Sequence, residues 1–105
     1  MTRRLILDTE TTGLDFDKDR IIEVACLELI DDVFSGEKFH NYYSPESIVI
    51  SKQSEEIHGL SNDFLKKYNS FESEIQSFLE FIGNSQLIIH NAQFDLNMIN
   101  KLQKK

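Results

Sequence analysis

The sequence predicts an α/β domain built on a mixed β-sheet with flanking helices. Three observations support this prediction: continuously apolar runs at Leu5–Leu7 and Leu87–Ile89, a hairpin signal in the first half, and a segment with helical periodicity. Continuous apolar runs are typical of strands that are buried on both faces of a sheet. With 105 residues, of which 40% are apolar, the chain is long enough for one domain with its own core.

The first half of the chain predicts a strand followed by a hairpin. The segment from Ile21 to Ile30 is rich in isoleucine, valine and leucine and predicts the second strand. A turn is expected at Ser35-Gly36, after which Lys38–Tyr43 returns with aromatic residues that favour strands. Pro45 ends this return strand, because proline cannot donate a hydrogen bond to a neighbouring strand.

The segment between the hairpin and the last apolar run predicts a polar loop and two helices. Ser61 or Asn62 can cap a short helix. The longer helix has apolar residues on one face, at spacings of four, three, one and three: Phe71, Ile75, Phe78, Leu79 and Ile82. Asn69 and Glu72 have the spacing of a capping box, and Gly83 stands where a helix usually ends.

Composition and charge narrow the class of protein. The chain contains no run near the ~18 apolar residues of a membrane span, no signal-peptide pattern, and a single cysteine, Cys26, in an apolar stretch. We therefore expect a soluble cytoplasmic protein. The net charge of −7 argues against a broad nucleic-acid surface, which would be basic. It allows a small pocket in which metal ions neutralise phosphate.

Two acidic residues, Asp8 and Glu10, follow the first apolar run. Residues two apart along a strand point to the same face, so the two carboxylates project together if the strand continues to Glu10. Carboxylate oxygens at this spacing can converge on Mg²⁺ or Mn²⁺. Gly13 lets the backbone turn closely past whatever is bound there. Taken alone, the pair is better explained as two solvated acids at a strand end.

A third acid occupies a matching position after the last apolar run. Asn91 predicts the start of a final helix, and Asp95 lies just inside it, where the positive helix end favours the ionised carboxylate. If both strands belong to one sheet, their C-terminal ends bring Asp95 beside Asp8 and Glu10. The alternative is a first-turn acid that only stabilises its own helix.

Three short motifs resemble those of a known family. L-D-T-E-T-T-G-L at residues 7–14 resembles the first motif of the DnaQ-like (DEDD) 3′→5′ exonucleases, and H-N-A-Q-F-D at 90–95 resembles their second. Between them, I-H-G-L at 57–60 is similar to the intervening element of that family. Within the family, the chain most resembles the proofreading subunits of bacterial replicative DNA polymerases. The motifs occur in order over nearly the whole chain.

The resemblance implies an RNase H-like fold and hydrolysis of DNA from a 3′ end with two divalent ions, Mg²⁺ or Mn²⁺. It implies that Asp8, Glu10 and Asp95 are catalytic residues that hold the metals, with Asp95 holding the second ion through water. The substrate would be a single-stranded or frayed primer terminus. A DNA polymerase catalytic subunit is the implied partner, and it would supply the broad basic groove.

The resemblance also implies contacts with the substrate. Thr11 would offer its backbone to the terminal nucleotide, and Leu14 and Phe94 would pack against its base or sugar. His58 would reach a terminal sugar or phosphate. Gln53 stands where the family places a glutamate, so its contact with the substrate departs from the family pattern. Helix core is the alternative for Phe94, and an ordinary loop histidine for His58.

The other two histidines are expected to have no chemical role. His40 belongs to no motif and is predicted to be structural, while His90 is expected to support the turn from the last strand into the final helix. The family's third motif, H-x-A-x-x-D, has no counterpart, since no histidine follows His90 and no acid follows Asp95. The general base is therefore absent from these 105 residues.

The missing motif predicts that residues 1–105 are the N-terminal part of a single exonuclease domain with little activity alone. A longer or split reading frame, a separate chain that carries the third motif, and a decayed remnant are the three explanations. A non-catalytic nucleic-acid or polymerase-binding module and an RNA-trimming relative are alternative functions. A D-x-D phosphatase is disfavoured, because it needs an aspartate at the position of Glu10.

Overall fold

A computed structural model describes residues 1–13 and 18–89. Within these residues the chain forms one four-stranded sheet and three helices. The elements are β1 Arg3–Thr11, β2 Ile21–Ile30, β3 Val33–Tyr42, α1 Lys52–His58, α2 Asn62–Leu65, α3 Phe71–Ile82 and β4 Gln86–Ile89. The strand order is β3-β2-β1-β4, with β4 parallel to β1 and the other pairs antiparallel. The predicted mixed sheet with helices is confirmed.

Strand β1 is longer than its apolar run. It pairs with β2 from Arg3 to Thr11, and the pairing becomes irregular only between Glu10 and Thr11. Leu5 and Leu7 are buried, whereas Asp8 is exposed. The strand continues past its apolar residues because β2 supplies backbone partners along its whole length. The strand therefore includes Glu10, which is the condition for Asp8 and Glu10 to project from the same face.

The hairpin turn lies four residues before the predicted position. Asp31 and Asp32 form it with positive φ angles of 48° and 69°, a conformation that aspartate tolerates better than most residues. The expected turn at Ser35-Gly36 is wrong, because these residues lie inside β3. The pairing shifts register opposite them, between Leu27 and Leu29. Gly36, at φ 96°, therefore belongs to the irregular part of β3 and not to the hairpin turn.

The predicted polar loop before Ser61 contains helix α1. Ser51 caps it by accepting a hydrogen bond from the Ser54 backbone, and Gly59 ends it in the left-handed conformation. None of its residues is buried. The loop prediction is wrong because a helix without a buried face has no apolar periodicity in its sequence.

Helices α2 and α3 are confirmed, but the predicted cap of α3 is wrong. Ser70 is the N-cap, and its side-chain oxygen accepts a hydrogen bond from the Ser73 backbone at 3.2 Å. Asn69 lies one residue earlier and donates from its side chain to Glu74. Gly83 ends the helix as expected, with its N–H donating to the Leu79 carbonyl.

The core consists of two apolar clusters. The larger one lies between one face of the sheet and α3, and it includes Leu5, Leu7, Ile21, Val24, Cys26, Tyr43, Phe71 and Phe78. The smaller one contains Ile22, Ile50, Leu60 and Leu65. The expectation that Cys26 is a core residue is confirmed. In the described part of the chain, no helix is long and apolar enough to cross a membrane.

Candidate active site

Two carboxylates lie together on the sheet face opposite the larger core. Asp8 and Glu10 alternate with the buried Leu5 and Leu7 along β1, so they share the other face, about 6.5–7 Å apart along the backbone. Asp8 is exposed and Glu10 is partly buried. Three other predicted site residues, Leu14, Phe94 and Asp95, lie outside the described residues, as does His90.

The turn that follows Glu10 is held by hydrogen bonds. Thr12 is only 5% exposed, and its hydroxyl donates to Asp19 at 2.7 Å while accepting from the Arg20 backbone at 3.0 Å. The Thr11 hydroxyl donates to the Gly13 carbonyl at 2.6 Å. A Cβ atom on Gly13 would lie 2.5 Å from Asp19 Oδ2. A side chain at this position would therefore force the Asp19 carboxylate to move.

A cavity of about 400 Å³ lies between this turn and helix α1. Its lining consists of Glu10, Thr11, Gly13, Gln53, Ser54, Ile57 and His58. The structure thus brings Glu10, one of the two acids of the first motif, together with His58, which lies 48 positions later in the sequence. It also places Thr11 and Gln53 at the same cavity. Four of the predicted site residues therefore share one lining.

Two lining residues, Ser54 and Ile57, were not among the predicted site residues, although Ile57 belongs to the I-H-G-L element. Ser54 has no motif of its own, and Ile57 is 79% exposed on a helix without a buried face. The exposure of Ile57 beside the cavity could not be predicted from the sequence, because it depends on the helical path of α1. Glu55 and Glu56, which lie between Gln53 and His58 in the sequence, are exposed and are not part of this lining.

The Nε2 atom of His58 can act as a hydrogen-bond donor. Its Nδ1 accepts from the Leu60 backbone at 3.0 Å, so the neutral ring carries its proton on Nε2. That Nε2 atom is buried and has no hydrogen-bond partner in the described part of the chain. Burial lowers the pKa of His58, while the carboxylates of Glu23 and Glu55 oppose that shift. Burial therefore favours the neutral donor form.

The available ligands fit a hard divalent cation but are incomplete. Asp8 and Glu10 supply only carboxylate oxygens, which Mg²⁺ and Mn²⁺ prefer. Within residues 1–13 and 18–89, no group of three or more His, Cys, Asp or Glu side chains is arranged to hold a metal ion. These two carboxylates could therefore hold part of a metal site, and a third protein ligand would come from elsewhere.

Sequence comparison identifies the family. Residues 5–105 match the RNase T family, whose description is exonuclease. The chain belongs to the RNase T exonuclease family. Among its relatives is DNA polymerase III subunit epsilon of Buchnera aphidicola subsp. Baizongia pistaciae, at 44% identity over 93% of this chain. The same subunit of Rickettsia conorii is 46% identical over 93% of the chain.

Solved structures of exonucleases share the fold. Exonuclease X in complex with 5′ overhanging duplex DNA matches this RNase T family member with a TM-score of 0.76 and 27% identity, covering 91% of this chain and 53% of that one. Product-bound exonuclease I matches with a TM-score of 0.84 at 16% identity, covering 99% of this chain and 25% of that one. The expected RNase H-like fold is confirmed.

The chain spans less than half the length of these curated relatives. The chain spans 42% of the Buchnera protein and 43% of the Rickettsia protein. The likeness therefore concerns less than half of each relative.

Proposed function

We propose that residues 1–105 form the N-terminal part of a DNA 3′→5′ exonuclease domain of the proofreading type, in a subunit of a replicative DNA polymerase. The observation that carries the proposal is the shared cavity, where Glu10 and Thr11 meet Gln53 and His58. Membership of an exonuclease family and the likeness to DNA polymerase III subunit epsilon support the same conclusion.

The sheet face that carries Asp8 and Glu10, called the acid face below, would hold the metal ions. Asp8 and Glu10, with Asp95, are the proposed ligands for two Mg²⁺ or Mn²⁺ ions. When bound, such ions supply positive charge that favours ionisation of the attacking water and stabilises the leaving 3′ oxygen. The rigid backbone of β1 keeps Asp8 and Glu10 on one face, so no reorganisation of the strand is needed when the cations arrive.

The cavity would hold the terminal nucleotide. His58 would donate from Nε2 to a sugar or phosphate oxygen, and the Thr11 backbone would contact the same nucleotide. Gln53 lies at the cavity with an uncharged amide, which can donate or accept a hydrogen bond. Leu14 and Phe94 are proposed to pack against the terminal base or sugar.

Partners would complete the site and the substrate groove. With 18 acidic and 11 basic residues, the chain is suited to a few metal-bridged nucleotides and not to a long backbone contact. A polymerase catalytic subunit would hold the rest of the primer. The general base and the fourth carboxylate would come from outside these residues, for example from a separate chain that carries the third motif.

A binding experiment tests the proposal. We expect fluorescence anisotropy to detect binding of a 5′-labelled single-stranded oligonucleotide with a free 3′ end in Mn²⁺. An unlabelled circle of the same sequence should compete for this binding much less effectively than the unlabelled linear strand. Asp8→Asn and Glu10→Gln should each abolish the metal-dependent binding. Equal competition by linear and circular DNA, or no effect of either substitution, would overturn the proposal.

A matched pair of substitutions tests the cavity. Ile57 lines it and Val49 does not, although both side chains are strongly exposed, at 79% and 83%. Ile57→Ala should weaken 3′-end binding about fivefold, equivalent to roughly 1 kcal/mol of lost apolar burial. Val49→Ala should leave binding unchanged. Equal effects of the two substitutions would place the nucleotide elsewhere.

A second candidate function is binding without hydrolysis. It is favoured by the finding that no three potential metal ligands converge within the described residues. Gel analysis of the 5′-labelled DNA distinguishes the two functions, and the parallel RNA oligonucleotide tests for an RNA-trimming relative. We expect little trimming by the chain alone. Robust metal-dependent trimming that Asp8→Ala abolishes would contradict that expectation.

A further inference from the structure

A third carboxylate, Glu23, lies beside the candidate metal site. Glu23 of β2 is the direct cross-strand partner of Glu10 in β1, and such partners point to the same face of the sheet. Their Cβ atoms are about 4.5–5.5 Å apart in an antiparallel pair. Two like charges placed directly opposite one another destabilise a sheet unless something compensates for the repulsion.

His40 is a hydrogen-bond partner of Glu23. Its Nε2 atom lies 2.6 Å from Glu23 Oε2, and because an ionised carboxylate can only accept, the imidazole donates. The Cα partner of His40 is Ala25, so the ring reaches diagonally across the sheet to Glu23. The sequence predicted a structural role for His40. The hydrogen bond connects it to the acid face.

His40 is held in this position by an aromatic stack. Its ring meets Tyr42 edge-on with centroids 5.0 Å apart, and Tyr42 in turn meets Phe64 of α2 at 5.1 Å. Tyr42 also packs against Tyr68 at 5.6 Å. The donor is therefore anchored to a helix outside the sheet. A ring without this support would lose its preferred orientation more readily.

We propose that Glu23 is a positioning residue of the Asp8–Glu10 site, adding negative charge that attracts a divalent cation, and that the hydrogen bond from His40 restrains this charge. The inference rests on the proposed function, since it assumes that a cation binds at Asp8 and Glu10. Glu23 acts through the field at the site and through water held there, without direct ligation.

The two residues should change cation affinity in opposite directions. Glu23→Gln removes a negative charge and should weaken Mn²⁺ binding roughly three- to tenfold, as expected for a partly screened charge several ångströms from the ion. His40→Phe keeps a ring against Tyr42 but removes the donor, so it should tighten Mn²⁺ binding. The double variant should bind like Glu23→Gln, because His40 acts through Glu23.

Titration with Mn²⁺, followed by electron paramagnetic resonance of the free ion, measures these affinities in the whole chain. Glu28→Gln is the matched control, since Glu28 lies on the same strand and pairs with Arg3, and its cross-strand partner is Leu5 and not an acid. It should leave Mn²⁺ affinity unchanged. Thermal melts of every variant establish that each one folds.

The outcomes separate this inference from the proposed function. If Mn²⁺ binds and Asp8→Asn abolishes binding, but Glu23→Gln behaves like Glu28→Gln, only the role of Glu23 is overturned. If Glu23→Gln and His40→Phe both weaken Mn²⁺ binding, the pair has only a structural role, and the proposed restraint of Glu23 by His40 is overturned. If the unmodified chain binds no Mn²⁺, the proposed function and this inference both fail.

Discussion

At the residue scale, the turn after Glu10 depends on the carboxylate of Asp19. That side chain accepts a hydrogen bond from Thr12 and occupies the space where a Gly13 side chain would begin. The backbone of Thr11, which we propose as a nucleotide contact, lies in the same turn. Asp19 therefore links the stability of the turn to the shape of the candidate site.

Gly13→Ala should destabilise the chain by about 1 kcal/mol, because the added methyl group forces the Asp19 carboxylate away from Thr12 and breaks their hydrogen bond. Urea unfolding measures the change. Gly13 has no positive φ, so in an Asp19→Ala background the same substitution should be neutral or slightly stabilising. Equal costs in both backgrounds would show that the crowding by Asp19 is not the cause.

The Cys26 thiol provides a pH-dependent test at the same scale. Burial raises its pKa from the ordinary value of 9.0 to about 11, although Arg3 partly opposes the shift. The folded state therefore disfavours the thiolate, and the stability gained below pH 9 is lost as the pH rises towards 11. The difference in unfolding free energy between the natural chain and Cys26→Ala should shrink from about pH 8.5 to about pH 10.5. A constant difference would contradict the assignment.

At the element scale, the start of α3 distinguishes two candidate caps. The Ser70 side chain accepts a hydrogen bond from the Ser73 backbone, whereas the Asn69 side chain donates to the side chain of Glu74. A cap satisfies one of the backbone N–H groups that the first helical turn leaves without an internal partner. The position of the cap matters because α3 carries Phe71 and Phe78 into the core.

Ser70→Ala should lower the free energy of unfolding by about 1 kcal/mol, through loss of this cap. Asn69→Ala should cost clearly less, since only a surface hydrogen bond is removed. Chemical denaturation of the two variants compares them directly. A larger cost for Asn69→Ala would favour the capping box that the sequence suggested.

At the scale of the whole molecule, the sheet has two unlike faces. One is covered by α3 and forms the larger core. The other carries Asp8, Glu10 and Glu23, and among the described residues Leu27 and Ile88 on this face each remain 41% exposed. An acidic, partly uncovered face repels DNA unless cations intervene, so we expect the proposed DNA binding to depend on metal.

DNA binding should therefore need a divalent cation and depend only weakly on salt. Without metal, or after chelation, we expect anisotropy to detect no binding of single-stranded DNA. With Mn²⁺, the logarithm of the association constant should fall with the logarithm of NaCl concentration with a slope shallower than about −2, as for at most about three neutralised phosphates. Strong metal-free binding with a steep slope would reveal a basic surface instead.

The sequence by itself determined the parts that depend on local chemistry. Apolar runs located the strands at Leu5–Leu7 and Leu87–Ile89, and apolar periodicity located α3. Both patterns are visible in the sequence because buried positions are occupied by apolar residues. The motif residues Asp8, Glu10 and His58 were identifiable because their spacing resembles that of a family. Helix α1 was missed, since none of its residues is buried.

Only the tertiary structure decided which distant residues meet. The pairing of β1 with β2 placed Glu23 opposite Glu10, and the path of α1 brought Ile57 and His58 to the cavity beside Thr11. The turn at Asp31 and the register irregularity near Gly36 were likewise decided by strand pairing. Such juxtapositions leave no local pattern in the chain, because they arise from backbone hydrogen bonds between segments that are far apart in sequence.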